Sequence, residues 1–242
     1  MKFLIPTAKE MKAAEQTYPH QLPSKSWPIL KKLGEADSKD LEKIYHIKPE
    51  TAEKERQHIS NLLANQALGY HALELFNGLM YRQIDKNLTN EDLNFIRDHV
   101  FITSALYGVI NALDSIAEHR LDFNCKLKVD NQSLKNYWRP YYDQFVKEDN
   151  QPIISMLSSE FESVFSKKYT DQFIKLIFHE EKDGKLKTHS TISKKARGKC
   201  LNQIIKHRIN NIEGLRTLTF DNFDYREELS TEHSLVFVKA TD

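Results

Sequence analysis

Cysteine is almost absent from this chain: Cys125 and Cys200 are its only two, far apart and outside any C-x-x-C spacing. That excludes the disulfide framework of small secreted domains and leaves two reduced thiols as the expectation. Glycine is scarce, with seven in 242 residues, and none falls in a G-x-G-x-x-G turn, so the dinucleotide-binding fingerprint is missing. The ten histidines never stand as H-x-x-x-H or H-E-x-x-H, which withholds the usual helical metal pair. No metal and no cofactor is expected. No apolar run approaches a membrane span, and Met1-Lys2-Phe3-Leu4-Ile5-Pro6 is apolar too briefly for an export signal. The expectation is a cytoplasmic protein with no membrane partner.

What is present reads as an ordinary globular chain. Hydrophobic residues at 40% and charged residues at 29% suffice for a core, and no Pro/Gly/Ser-rich seam divides the sequence, so one domain over residues 1–242 is expected. Residues 2–5 read as a short buried strand, followed by some thirty irregular residues holding Pro6, Pro19, Pro23 and Pro28. Leu41, Ile44 and Ile47, then a helical run from Pro49 to about Leu68, predict a helix pair with a tight connection. Thr89 is a good helix cap, and a strand follows at Val100–Thr103. A helix from Ser133 to about Lys147 precedes a strand at Pro152–Met156. The segment Asp171–Phe178 runs to Asp183-Gly184 and returns as Lys185–Thr188, a hairpin signature. A helix from about Lys194 to Asn210 and strands at Leu218–Phe220 and Leu235–Val238 close the chain. The class is mixed α/β (α+β): a single compact domain with a central mixed sheet, a β-hairpin and a helix-hairpin-helix-like element at 39–68.

Net charge is only +1, yet residues 185–208 carry eight Lys or Arg and no Asp or Glu. At 100° per residue Lys195, Lys199, Asn202 and Lys206 share a stripe, and apolar residues fill the opposite face. The pattern supports either a polyanion-binding surface or a solvated helix face. The first is favoured because nothing inside the stretch relieves the like-charge repulsion. Arg197 falls among the apolar residues. Either the helix begins near Gly198, or Arg197 points inward to a carboxylate, for which Glu160 is the candidate. The hairpin His46-Ile47-Lys48 would offer backbone N–H groups to a phosphate, though Pro49 removes one, and an ordinary helical hairpin fits as well.

The segments Pro6-Thr7-Ala8-Lys9, Ala105-Leu106-Tyr107-Gly108-Val109 with Leu113-Asp114, and Ser193-Lys194-Lys195-Ala196-Arg197-Gly198 together resemble the YaaA family of bacterial peroxide-stress proteins. Glu180–Lys185 and Ser234–Phe237 extend the match. The resemblance implies a cytosolic α/β fold, a positively charged cleft, a helix-hairpin-helix-like element and DNA binding. The role it implies is protection in peroxide stress by limiting iron-dependent (Fenton) damage. On that likeness Lys9, Lys194, Lys195, Arg197 and Lys199 approach the cleft, with Ile47 and Lys48 at the hairpin. The chain departs from the pattern at Asn111-Ala112, where relatives commonly carry Arg-Pro. It also departs at Arg82-Gln83, which lacks a glycine after the tyrosine, and at Arg139 after Trp138.

Three functional readings are carried forward. The first is a DNA-binding stress protein contacting duplex or structured DNA without sequence preference through Lys9, Ile47, Lys48, Lys194, Lys195, Arg197, Lys199 and Lys206. The second is an enzyme acting on nucleic acid or a phosphorylated small molecule in a pocket of Tyr107, Asp114, Glu160 and Arg197, with Asp122 nearby. No nucleophile or base is fixed by the sequence, so the balance leans away from catalysis. The third is a protein-interaction module using the Pro6–Pro28 segment, with Tyr18 and Trp27 as a docking rim.

Overall fold

A run of only three apolar residues becomes an interior strand of the main sheet. In the computed structural model, which describes residues 1–148 and 150–240, strand β1 (Lys2–Pro6) is buried along its whole length. A strand covered on both faces needs continuous rather than alternating apolar residues, and Phe3, Leu4 and Ile5 are fully buried. Lys2 keeps its stem inside and lays its ammonium over the rings of Phe101 and Phe145, 4.2 Å from the second centroid.

Around β1 the main sheet is built from β2 (Val100–Ser104), β3 (Gly108–Asn111), β4 (Ile153–Ser155), β5 (Ile174–Lys182), β6 (Lys185–Lys187), β7 (Phe223–Tyr225) and β8 (Ser234–Ala240). The order is β7-β8-β5-β4-β1-β2-β3, with β6 paired to β5. The five strands from β8 to β2 are mutually parallel, with registers such as Leu4 opposite Phe101 and Ser155. β3, β6 and β7 are antiparallel, so the sheet is mixed, as expected. The β5–β6 hairpin turns on Asp183 and Gly184, both at positive φ (52° and 68°), the conformation a two-residue I′ turn requires.

The helices follow their local signals, with corrections. Trp27–Gly34 (α1) interrupts the stretch expected to be irregular, because Pro28 sits in its first turn, where no N–H is needed. Ser38–Tyr45 (α2) and Pro49–Leu63 (α3) form the predicted pair, with His46 at φ 52° closing α2; α3 ends at Leu63, short of Leu68. Asn90–His99 (α4) opens on a capping box, in which Asp92 N–H donates to Thr89 Oγ1 at 3.2 Å and Thr89 N–H donates to Asp92 at 3.0 Å. Leu134–Lys147 (α5) starts after Ser133 as expected.

Ser190–His207 (α6) begins four residues before the expected Lys194 and stops at His207, and a further short helix, Ile212–Arg216 (α7), follows. No strand forms at Leu218–Phe220. Asp221 and Asn222, both at positive φ, turn the chain so that Phe220 meets Phe223 in a single bridge, and β7 begins there. The irregular residues after β1 lie along 69–77, tied by Lys12 N–H to the Leu75 carbonyl and Tyr18 N–H to the Gly69 carbonyl. Tyr18 lies against His71 with the ring centroids 3.8 Å apart and the planes tilted by 39°, and half-buried Trp27 packs against the core.

The tightest packing of α6 is at Gly198, where an added β-carbon would stand 2.0 Å from the Met80 carbonyl oxygen and 2.9 Å from Gln83 Cβ. Gly198→Ala is expected to cost about 3 kcal/mol or more, since backbone cannot yield as a flexible side chain can. Gly184→Ala, with open space but positive φ, should cost about 1 kcal/mol. Urea denaturation of both variants checks this; equal losses would refute the close approach as a constraint.

Candidate functional site

The chain leaves β1 for β2 on one side and leaves β4 for β5 on the other, so the loops after β1 and β4 diverge. Parallel sheets open a crevice at such a point, beyond the carboxyl ends of the strands. Here it holds a cavity of about 690 Å³. Its walls are Pro6–Glu10 after β1, Ser158–Phe161 after β4, Gly78–Tyr81, Leu121, Asp122 and Asn124, Lys135 from the first turn of α5, and one face of α6. The α6 face is Ser190, Lys194 and Arg197, spaced i, i+4, i+7. No side chain caps the first turn of α6.

The floor is anionic and its charges are unequally compensated. Asp122 is buried and pairs with Lys9 at 2.8 Å, while accepting from Asn124 N–H at 2.9 Å. Burial pushes the Asp122 carboxyl up, but these partners outweigh it and hold the group below the usual range. Glu160 accepts from Phe123 N–H at 3.1 Å. Burial first, and the charge of Asp122 second, raise its pKa above the usual carboxylate value. Glu10 pairs with Arg82.

Arg197 lies inside a continuous α6, which resolves the two expectations for it: the helix does not start at Gly198, and the side chain turns inward. Glu160 lines the same cavity yet forms no ion pair with it. Nη2 of Arg197 donates to the Leu157 carbonyl at 3.3 Å, its buried Nε has no acceptor, and the carboxylate that acts on it is Glu162, whose ion pair is with Lys175 at 3.0 Å. Burial pulls the guanidinium below the ordinary arginine range. Among the described residues, neither Arg197 nor Lys135, Lys194 or Lys195 has a carboxylate within 4 Å.

The rest of the basic stripe is different. Lys199 pairs with Asp221 at 2.6 Å, and Asp221 also holds Lys239 at 3.2 Å. Lys206 lies 3.9 Å from Asp85, whose N–H donates to Asn202 at 2.8 Å. The repulsion that the local sequence leaves unrelieved is relieved by carboxylates far away in the chain. Ile47 and Lys48 sit in the α2–α3 hairpin and do not line the cavity; Ile47 borders a separate surface groove with His46 and Pro49.

Two expected pocket residues lie elsewhere. Asp114 is exposed and accepts from Asn111 N–H at 2.8 Å in the turn after β3. Tyr107 is buried, and its hydroxyl meets His20 at 2.9 Å and Ala117 N–H at 3.1 Å. The departures from the family pattern have structural work. Asn111 donates to the Arg97 carbonyl at 2.7 Å, closing the end of α4, and Ala112 is buried. Arg139 donates to the carbonyls of Val164 and Ser163 at 3.0 and 3.1 Å. Lys135, Ser158 and Ser190 were missed; their signal is position, after predicted strands or in the first turn of a helix. Cys125 is a poor thiolate: burial, with the charge of Asp122, pushes it up to about 12. Among the described residues no group of three or more His, Cys, Asp or Glu is placed to hold a metal, and no helix is long and apolar enough to cross a membrane.

A family model described as Peroxide stress protein YaaA matches residues 1–229. A UPF0246 protein of Streptococcus thermophilus is 50% identical over 240 residues, covering 99% of this chain and 98% of that protein. UPF0246 proteins of Streptococcus equi subsp. zooepidemicus and Streptococcus pyogenes serotype M12 are each 48% identical with the same coverage.

The Tyr107 network carries a pH consequence. His119, 7% exposed, shares a hydrogen bond with the Ala117 carbonyl at 2.8 Å and packs edge-on against Tyr107. Burial lowers its pKa from the usual 6.5 to about 4. Between those values the unfolded chain binds the extra proton, so stability is full above 6.5 and is lost as pH falls toward 4, by up to about 3 kcal/mol. His119→Asn, which keeps a donor for Ala117, should flatten the pH dependence of the urea midpoint between pH 7 and 4.5. An unchanged slope would remove His119 as its source.

Proposed function

Because the chain belongs to the YaaA peroxide stress protein family, we propose that it serves the peroxide stress response by binding DNA at the mouth of the β1–β4 crevice. The observation that carries this reading is the division of the α6 cations. Lys194 and Lys195, with Lys135 across the cavity from Lys194, have no carboxylate within 4 Å among the described residues, whereas Lys199 and Lys206 are engaged within the fold. Unpaired ammonium groups gain most from a phosphate, because no internal ion pair must break first. The hairpin at Ile47 and Lys48 would supply a second contact, through the exposed Lys48 side chain and the start of α3.

Protection follows from coverage. A lysine seated on a phosphate displaces the cation condensed there, ferrous iron included, and so lowers the iron that peroxide meets at the DNA. Thiol redox contributes little to this picture, since Cys125 is held protonated near neutral pH and Cys200 is buried with its pKa raised. The contacts are to backbone phosphates, which fix position without reading sequence.

Fluorescence anisotropy on duplex DNA across a salt series tests the reading. The triple variant Lys135→Ala, Lys194→Ala, Lys195→Ala should weaken binding and flatten the log–log salt slope by about 2 to 3. The double variant Lys199→Ala, Lys206→Ala should change it by less than about 1. Absence of wild-type binding at low salt, or a triple variant that binds as wild type does, would refute it.

A further inference from the structure

A groove built only for phosphates would not carry carboxylates on its floor. This one does, and they are not equivalent: Asp122 is neutralised by Lys9 and Glu10 by Arg82, but Glu160 has no cation within 4 Å among the described residues. One Glu160 oxygen is fixed by Phe123 N–H at 3.1 Å, which orients the carboxyl and leaves its second oxygen uncommitted. Across the same cavity, Lys194 has no carboxylate within 4 Å among the described residues, and the partly buried Arg197 feels Glu162 without an ion pair and keeps a buried Nε with no acceptor. A buried cation without a counter-ion is costly, and so is a desolvated acceptor without a donor. Both costs are met by one ligand that is anionic at one end and offers N–H donors at the other. The cavity, at about 690 Å³, is within the range of small-ligand sites and several-fold larger than a phosphate needs.

We propose that the β1–β4 crevice binds one nucleoside monophosphate unit, with its phosphate at Ser190, Lys194 and Arg197 and the donor edge of its base at Glu160. The phosphate end also faces the uncapped first turn of α6, whose N–H groups favour an anion. A carboxylate accepts best from adjacent donors, and guanine presents two, N1–H and N2–H; adenine and cytosine present an amino group. Uracil offers one N–H flanked by carbonyls that repel a carboxylate. The order of affinity is therefore guanine first, adenine and cytosine next, uracil last. The unit can arrive free or turned out of a strand, since a base read on its pairing edge must leave the stack. The second source rests on the DNA-binding reading above; the first does not.

Titration calorimetry with GMP, AMP, CMP, UMP and inorganic phosphate tests the site. Wild type should bind GMP at least about tenfold more tightly than UMP, and phosphate more weakly than any of the four. Glu160→Gln keeps the acceptor for Phe123 N–H, so folding should survive, and should bring GMP and UMP within about threefold. Lys194→Ala, at an exposed helix position, should weaken all four together and provides a second reading should Glu160→Gln fail to fold. No binding of any nucleotide, with no fluorescence rise from a duplex carrying 2-aminopurine, overturns the proposal. So does phosphate binding as tightly as GMP, or a base preference unmoved in Glu160→Gln. Nucleotide binding with a quenched 2-aminopurine duplex assigns the free ligand as source, and a fluorescence rise assigns the extruded one. A protein that ignores duplex DNA but binds GMP refutes the DNA reading alone, and one that keeps its salt-dependent DNA affinity but fails both nucleotide arms refutes this one alone.

Discussion

The backbone contact between Gly198 and Met80 is the constraint on which the site depends. A helix can approach another backbone this closely only where it has no β-carbon, and the approach pins α6 against residues 78–83 at one turn and one rotation. With that rotation fixed, Ser190, Lys194 and Arg197 face the crevice, and Lys199 and Lys206 face the loops at Asp221 and Asp85. The two sets lie on opposite faces of the helix, so a rotation of about half a turn would exchange them. The helix would then carry its unpaired cations to the outside and leave paired ones at the cavity.

The position of the crevice has a separate cause, in the order of the strands. β1 is an interior strand because its three consecutive apolar residues tolerate burial on both faces, and the chain then adds strands on both sides of it. The diverging loops at its carboxyl edge follow from that order and from no single residue. Polar side chains gather there because the loops cannot be covered by the sheet: Thr7 and Lys9 come from one, Ser158 and Glu160 from the other.

Local chemistry made much of this legible in the sequence. The Asp183-Gly184 turn, the Thr89 cap, the continuous apolar run of β1 and the α2–α3 pair each follow from interactions within a few residues. Charge compensation was not legible, because Lys199 and Asp221, or Lys206 and Asp85, meet only through tertiary packing. The same holds for Arg197: its inward direction follows from helical periodicity, but the carboxylate beside it is set by where β5 and the loop after β4 cross, which favours Glu162 over Glu160. Tyr107 and Asp114 are expected beside Arg197 and Glu160 in a polar pocket, and tertiary contacts place them elsewhere. One is spent on His20 and Ala117, the other on a turn.

The electrostatics of the crevice bear on how a peroxide stress protein can act. Burial first, and the charge of Asp122 second, raise the neighbouring Cys125 thiol, so the acid that pairs with Lys9 also helps to suppress the less buried of the two cysteines. A peroxide-reactive cysteine needs the reverse environment, with a cation beside the thiol to favour thiolate. Lys9 is the cation available here, and it is already engaged with Asp122 at 2.8 Å. The arrangement therefore commits its charge to the Lys9–Asp122 pair instead of to activating a thiolate.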